Sequence, residues 1–116
     1  MDDVVIAKKY LNKARNAATA GHEFDLTFNT FKRLMTKKRC MLSGVQLTNH
    51  TGTLPIGTDR TLDRLDSNLG YTEDNTIVVC HEVNALKAKL ENPISMLSAK
   101  VVQKVLKTLA RLKVDL

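Results

Sequence analysis

The chain has 116 residues, the size of one domain, and is long enough to bury a core without metal ions or disulfides. Aromatic residues make up 4% of it and Trp is absent, which argues against a base-stacking platform of the kind that binds single strands. The net charge of +6 favours a polyanionic partner, although composition alone fits an ordinary basic protein equally well.

The first residues and the number of cysteines indicate in which cellular compartment the protein works. The acidic start Met1-Asp2-Asp3 lacks the positive charge of a signal peptide, and no apolar run reaches transmembrane length. Cys40 and Cys80 are too few for the disulfide framework of a small secreted protein. We therefore expect a protein of the reducing cytoplasm with no membrane partner.

Two helices are predicted in the N-terminal part, residues 1–39. The first covers residues 3 to about 20 and ends at Gly21. Its loose apolar face consists of Val4, Val5, Tyr10, Leu11 and Ala14. The second begins near Thr27, with Asp25 or Thr27 as its cap, and ends before residues 37–39, which are all basic. Its inward side chains are Phe28, Phe31, Leu34 and Met35.

The central part, residues 40–90, is predicted to hold short strands. Residues 40–47 alternate apolar and polar around Ser43-Gly44, which is typical of a hairpin or turn. Residues 48–60 are rich in Gly, Thr and Pro and predict a loop. Strands follow at residues 61–66 and 76–79, with a turn-rich loop around Gly70 between them. A helix then covers residues 80–90.

The C-terminal part is predicted to be one helix over residues 93–114, because Asn92-Pro93 breaks the preceding helix and Pro suits a first helical turn. Its apolar stripe consists of Ile94, Leu97, Val101, Val105, Leu109 and Leu112. A second stripe is basic and consists of Lys100, Lys104, Lys107 and Arg111. Taken together, the elements predict a single α+β domain with helices on either side of a small β-rich middle.

The segment from residue 62 to residue 87 carries polar residues at spacings that suit one divalent metal ion. Cys80 and Asn84 are four residues apart on a predicted helix and so share a face, which Asp63 on the preceding strand would oppose. Carboxylate and amide oxygens suit Mg²⁺ or Mn²⁺, and such an ion can polarise a scissile phosphate. Because Asp and Asn are also the commonest turn residues, the spacing by itself leaves both interpretations open.

The same residues resemble the HNH endonuclease superfamily, whose core is a two-stranded hairpin followed by a helix around one metal ion. The chain is similar to phage and bacterial members that read C-x-x-(S/T)-G, (S/T)-L-D-R-x-D-S, G-Y-x-x-x-N and N-x-x-K in that order. The matching residues are Cys40, Ser43, Gly44, the run 61–67, Gly70, Tyr71, Asn75, Asn84 and Lys87. The resemblance implies a ββα-metal core within residues 40–90, flanked by helices.

The resemblance also implies roles for individual residues. Asp63 and Asn84 would be ligands of one Mg²⁺ or Mn²⁺ ion, and Cys80 stands where some relatives have a metal-binding His. Asn75 would pin the loop between the two strands through hydrogen bonds. Gly70 and Tyr71 are explained more simply by a tight turn and by the edge of the core.

One departure from the family concerns the general base. Typical members have a His directly after the metal-binding Asp, whereas this chain has Arg64, which cannot lose its proton at working pH. Arg64 would grip the phosphate or stabilise transition-state charge, or would be an ordinary surface cation beside Asp66. The base would then be His81, His50 or a water held by Asp66.

A second departure concerns zinc. Many relatives close a structural zinc site with two C-x-x-C pairs. Here the corresponding pairs are Cys40 with Ser43 and Cys80 with Val83, so half of the ligands are missing. We therefore expect no structural zinc, and both cysteines to be small buried apolar groups.

A basic surface is predicted to contact phosphates without reading sequence. Its residues are Lys37, Lys38, Arg39, Lys87, Lys100, Lys104, Lys107 and Arg111. Most such stripes are simply solvated faces, and only their combination with a phosphodiesterase site favours nucleic acid.

The leading hypothesis is a metal-dependent HNH-type DNA endonuclease or nickase, encoded by a phage, that hydrolyses phosphodiester bonds in double-stranded DNA without a small-molecule cofactor. Arg64, Asn75 and His81 are its predicted catalytic residues, and it would work in the host cytoplasm. The alternative is an HNH-derived protein without catalysis that binds DNA or inhibits a host protein, which the missing His favours. A nuclease that acts on RNA is a third, weaker hypothesis.

Overall fold

The computed structural model describes residues 1–92, 94 and 97–113. Its elements in chain order are α1 (Asp3–Thr19), β1 (Phe24–Asp25), α2 (Phe28–Met35), β2 (Arg60–Arg64), β3 (Tyr71–Thr72), β4 (Thr76–Cys80), α3 (His81–Glu91) and α4 (Ala99–Arg111). This mixture of helices and short strands confirms the predicted α+β class. No helix in the described ranges has both the length and the apolar character needed to cross a membrane.

The chain forms two compact units, Met1–Val83 and Asn84–Leu116. The boundary between the units lies inside α3.

Side-chain caps fix where the first two helices begin. Asp2 accepts a hydrogen bond from the backbone N–H of Val5 at 2.9 Å, and Thr27 accepts one from Thr30 at 3.1 Å. Each bond satisfies a backbone donor that has no partner within its own helix. Thr27, one of the two caps predicted for α2, is therefore the residue that caps it.

The predicted apolar face of α1 is correct only in part, since Tyr10 packs against the core but the valines and Leu11 are exposed. Val4 and Leu11 are 64% and 56% exposed, whereas the buried residues of the helix are Ile6 and Ala17. Tyr10 lies between them on the same side, because steps of four and seven residues return to one face of a helix. The apolar residues at the N-terminal end of α1 therefore lie both on the face that packs against the core and on the face exposed to solvent. For this reason their spacing alone does not show which face is buried.

The core of the first unit is formed by side chains of α1, α2, β2 and β4 and of the segment 40–47. Ile6, Phe31, Val78 and Val79 are its largest fully buried side chains. Tyr10 packs at the edge of this core, and its ring centre lies 5.2 Å from that of Phe31. The Tyr10 hydroxyl donates a hydrogen bond to the backbone carbonyl of Leu26. The inward side chains predicted for α2 are confirmed, with Phe31, Leu34 and Met35 buried and Phe28 packed against them.

Strands β2 and β4 form an antiparallel pair in which Asp63 lies opposite Ile77 and Leu62 opposite Val78. Because side chains alternate along a strand, Asp63 and Ile77 lie on one face and Leu62 and Val78 on the other. Leu62 is buried in the core cluster of the first unit. The predicted strands at residues 61–66 and 76–79 are confirmed with small shifts at their ends.

A second strand pair, β1 with β3, was not predicted from the sequence. It is parallel, and the backbone N–H of Tyr71 donates to the carbonyl of Glu23 at 2.7 Å. The two chains approach so closely that a Cβ atom added to Gly70 would lie 2.5 Å from Cβ of Glu23 and 2.8 Å from its carbonyl oxygen. Gly70 is thus required by this close backbone approach, and strands of two residues are too short to leave a hydrophobic pattern.

The turn predicted around Ser43-Gly44 is present. Arg39 and Gln46 form an antiparallel bridge across it, and Gly44 has a φ of +75°, a conformation that favours glycine. The following loop, residues 48–60, is closed by a bridge between Thr48 and Asp59.

In the second unit, α4 begins later than predicted. Ser98 caps it by accepting a hydrogen bond from the N–H of Val101, and Ile94 and Leu97 lie in turns before it. Residues 93, 95, 96 and 114–116, on which parts of the predicted helix fall, lie outside the described residues. None of the residues of α4 is buried.

Candidate functional site

The predicted metal ligands belong to different units. Asp63 is the fourth of the five residues of β2, and its Oδ2 atom is shielded from solvent. Asn84, half-buried, lies on α3 and is the first residue of the second unit. Within the described residues, no group of three or more His, Cys, Asp and Glu side chains is arranged to hold a metal ion.

The donor set fits a hard divalent cation. Mg²⁺ usually binds to one or two protein oxygens and keeps several of its waters, so it does not need a dense cluster of carboxylates. One carboxylate from Asp63 and one amide oxygen from Asn84 match that requirement in chemical type.

Asn75 closes the loop between β2 and β4. Its side chain is buried, with 6% of the residue exposed. Its Oδ1 accepts from the N–H of Asp66 at 2.9 Å, and its Nδ2 donates to the carbonyls of Asp66 at 3.1 Å and Gly70 at 2.8 Å. These are loop-pinning hydrogen bonds of the kind that the resemblance implied for Asn75.

Arg64 contacts the same loop. Its Nη1 atom donates to the carbonyls of Ser67 at 2.8 Å and Leu69 at 3.2 Å, and lies 3.2 Å from Nδ1 of His22. The guanidinium carbon lies 5.6 Å from the ring centre of Tyr71. Arg64 therefore has a structural role beyond that of the surface cation considered from the sequence, and its predicted contact with phosphate stays a prediction.

Cys80 lies elsewhere than expected. It is the last residue of β4 and pairs with Arg60, so the prediction that it shares a helical face with Asn84 is wrong. By the alternation of the strand, its side chain lies on the face of Val78, opposite to the face of Asp63. The residue is 3% exposed and belongs to the core cluster.

Cys40 and Ser43 belong to a tight turn whose backbone folds around the sulfur atom of Cys40. Burial of the thiol raises the pKa of Cys40, but hydrogen bonds from the Ser43 hydroxyl and from the backbone N–H groups of Cys80, Ser43 and Leu42 outweigh it and lower the pKa to about 7. The bond from the N–H of Ser43 to Sγ measures 3.4 Å. Both cysteines are free and buried, as expected, yet Cys40 is more polar in character than a simple apolar group.

A cleft in the first unit, of about 280 Å³, brings together residues that the sequence left apart. It is lined by His50, Pro55, Asp59, Arg60, Thr61 and His81. Both histidines considered as bases thus lie on one cleft. Asp59, which contacts His50, was missed by sequence reasoning, because the contact forms only when the loop 48–60 folds back on itself.

The carboxylate of Asp59 joins the two ends of the loop 48–60 through hydrogen bonds. Asp59 is 3% exposed, and its carboxylate accepts from the Thr48 hydroxyl at 2.7 Å and from the N–H of Ile56 at 2.9 Å. These two bonds, with a smaller contribution from His50, hold the pKa of Asp59 below its ordinary value. Its own carbonyl accepts from the N–H of His81 at 2.8 Å, which fixes the loop against the first residue of α3.

The predicted phosphate-contacting residues are exposed in two places. Residues 37–39 are exposed at the end of α2, and the basic stripe of α4 lines one exposed face together with Gln103 and Thr108. Lys87 differs from them, because its ammonium group pairs with Glu91 at 2.5 Å. Its charge is therefore partly compensated within the helix.

Comparison with known proteins identifies no relative. No protein-family model, no curated protein and no solved structure matches the chain. Its function is inferred from its own residues and contacts.

Proposed function

We propose that the protein is a metal-dependent endonuclease or nickase of the HNH type that hydrolyses phosphodiester bonds in double-stranded DNA. The observation that carries the proposal is the buried Asn75, which closes the loop between antiparallel strands β2 and β4, directly before α3. This ββα order, with Asp63 in its first strand and Asn84 in its helix, is the arrangement that the motif resemblance implies.

A bound Mg²⁺ or Mn²⁺ ion would polarise the scissile phosphate and stabilise the leaving oxygen. Asp63 and Asn84 would hold that ion through hard oxygen atoms. Asn75 and Arg64 would keep the interstrand loop in one conformation, so that β2 presents Asp63 in a fixed position. The exposed basic stripe of α4 would bind the DNA backbone through charge, without base readout.

A plasmid-nicking assay with Mg²⁺ or Mn²⁺ tests this proposal. We expect the parent protein to convert supercoiled plasmid to the nicked form, and Asp63→Ala and Asn84→Ala each to lose at least about a hundredfold in rate. Asp74→Ala and Asn68→Ala are matched controls, because both residues are exposed in the loop between β2 and β4. Calorimetric titration with Mn²⁺ should show that Asp63→Ala and Asn84→Ala lose metal binding and the two controls do not.

Arg64 favours a second candidate function, DNA binding without cleavage. It occupies the position of the usual base, cannot accept a proton, and donates to loop carbonyls. A folded parent protein that retards DNA in a mobility gel, yet leaves plasmid intact at every metal concentration, would favour this candidate over the nuclease. Equal nicking by parent and Asp63→Ala would also count against the nuclease proposal, since the activity would then come from elsewhere or from a contaminant.

A further inference from the structure

The loop 48–60 holds an imidazole against a buried carboxylate. Nδ1 of His50 lies 3.3 Å from Oδ2 of Asp59. The orientation of the carboxylate is fixed by two other bonds, from the Thr48 hydroxyl to Oδ1 and from the Ile56 N–H to Oδ2. The fold thus positions Asp59, and Asp59 in turn positions the ring of His50.

The chemistry of the pair defines which ring nitrogen carries the proton. The hydrogen bonds from Thr48 and Ile56 keep Asp59 in its ionised form at neutral pH, and an ionised carboxylate can only accept hydrogen bonds. Nδ1 of His50 must therefore be the donor of this contact. In the neutral imidazole, Nε2 then carries the lone pair, which is the state that a general base requires.

The ring is also accessible. The side chain of His50 is 40% exposed and opens on the cleft that Arg60, Thr61 and His81 line as well. Thr61 and Asp63 lie two residues apart on β2, on the same face and separated by about 7 Å along the strand. The cleft of His50 therefore lies at the beginning of the strand that carries the predicted metal ligand.

We propose that His50, oriented by Asp59, is the general base of this enzyme, in the role that Arg64 cannot fill. The inference rests on the proposed nuclease function. Nε2 of His50 accepts a proton from a water molecule while the water oxygen forms a bond to phosphorus. The bond between phosphorus and the leaving oxygen breaks, the leaving oxygen takes a proton from solvent, and the products are a phosphomonoester and a free hydroxyl. Asp59 is a positioning residue in this scheme.

The activity test compares the parent protein with His50→Ala and with Thr51→Ala, a neighbouring exposed loop residue, in the plasmid-nicking assay with Mn²⁺. We expect His50→Ala to nick at least about a hundredfold more slowly, the usual contribution of a general base, and free imidazole to restore part of the rate. Thr51→Ala should nick at the rate of the parent. Melting temperature and Mn²⁺ binding should be the same for all three proteins.

The second test does not depend on catalysis. In nitrogen-15 NMR of histidine-labelled protein, the His50 signals, assigned by their loss in His50→Gln, should report the Nδ1–H tautomer of the neutral ring. Asp59→Asn should shift His50 toward the commoner Nε2–H tautomer, because an amide can also donate to Nδ1. A folded Asp59→Asn variant should at the same time nick more slowly while its binding of Mn²⁺ is unchanged.

The outcomes separate the two proposals. A parent that nicks DNA while folded His50→Ala or His50→Gln nicks at a rate within threefold, about the scatter of the assay, overturns the assignment of His50 and leaves the nuclease proposal intact. An Nε2–H tautomer in the parent overturns it as well, even if His50→Ala fails to fold. A parent that never nicks overturns both proposals.

Discussion

The sharpest stability prediction concerns Asn75→Ala. The substitution removes three hydrogen bonds from a side chain that is 94% buried, given the exposure of 6%. A net contribution of about 1 kcal/mol per bond, with an added penalty where a loop carbonyl stays shielded from water, gives a loss of about 2–4 kcal/mol in the free energy of unfolding. Because the backbone of Asp66 is near solvent, the lower half of this range is expected.

Urea denaturation followed by circular dichroism measures this loss. Asn68→Ala is the matched control, since Asn68 is exposed in the same loop, and its change should stay within about 0.5 kcal/mol. Asn75→Asp should be at least as destabilising as Asn75→Ala, because a carboxylate would face two carbonyl oxygens. A loss under about 0.5 kcal/mol for Asn75→Ala would show that the loop does not depend on these bonds, and would remove the support that Asn75 gives to the nuclease proposal.

Three further predictions test other contacts. Gly70→Ala should destabilise the protein by about 2 kcal/mol or more, because the added Cβ would collide with the backbone of Glu23. Gly57→Ala should cost less, because its added Cβ would meet the flexible carboxylate end of Glu82. Urea denaturation of the two variants measures the difference. The pKa of Asp59 is lower in the folded protein than in the unfolded chain, where it is about 4. The ionised carboxylate therefore contributes its full stability above about pH 4, and this contribution is lost as the pH falls through the folded pKa. Asp59→Asn should accordingly flatten the decline of the melting temperature in acid. Thiolate absorbance at 240 nm should titrate near pH 7 for Cys40, and the midpoint should rise in Ser43→Ala and the signal vanish in Cys40→Ser.

The main elements of the fold were accessible from the sequence because local rules determine them. The cap Thr27 and the inward face of α2 follow from capping chemistry and from a strong helical period. The antiparallel strands follow from the β-branched run at residues 76–79 and from the turn-rich loop that separates it from residues 61–66. By contrast, the late start of α4 depends on the Ser98 cap, which competes with the helix-starting tendency of Pro93.

The contacts of the site depended on longer-range geometry. The pairing of His50 with Asp59 joins two ends of a loop with no periodic pattern, so no spacing rule points to it. Cys80 is the last residue of β4 instead of the first residue of α3, and in the strand its side chain lies on the face opposite to that of Asp63. The prediction that Cys80 and Asn84 share a helical face therefore failed because the helix begins one residue later than expected.

The contacts of Arg64 change what the missing His means. A His at this position could not reach the carbonyls of Ser67 and Leu69 with one nitrogen, as Nη1 of Arg64 does. Arg64 thus has a structural reason to be present that is independent of proton transfer, because together with Asn75 it donates to carbonyls of the loop between β2 and β4. The absence of a base directly after Asp63 therefore has an explanation other than lost catalysis. It means instead that a base, if the protein cuts DNA, has to come from a different segment, and the imidazole that the fold orients toward a carboxylate is the one on the loop 48–60.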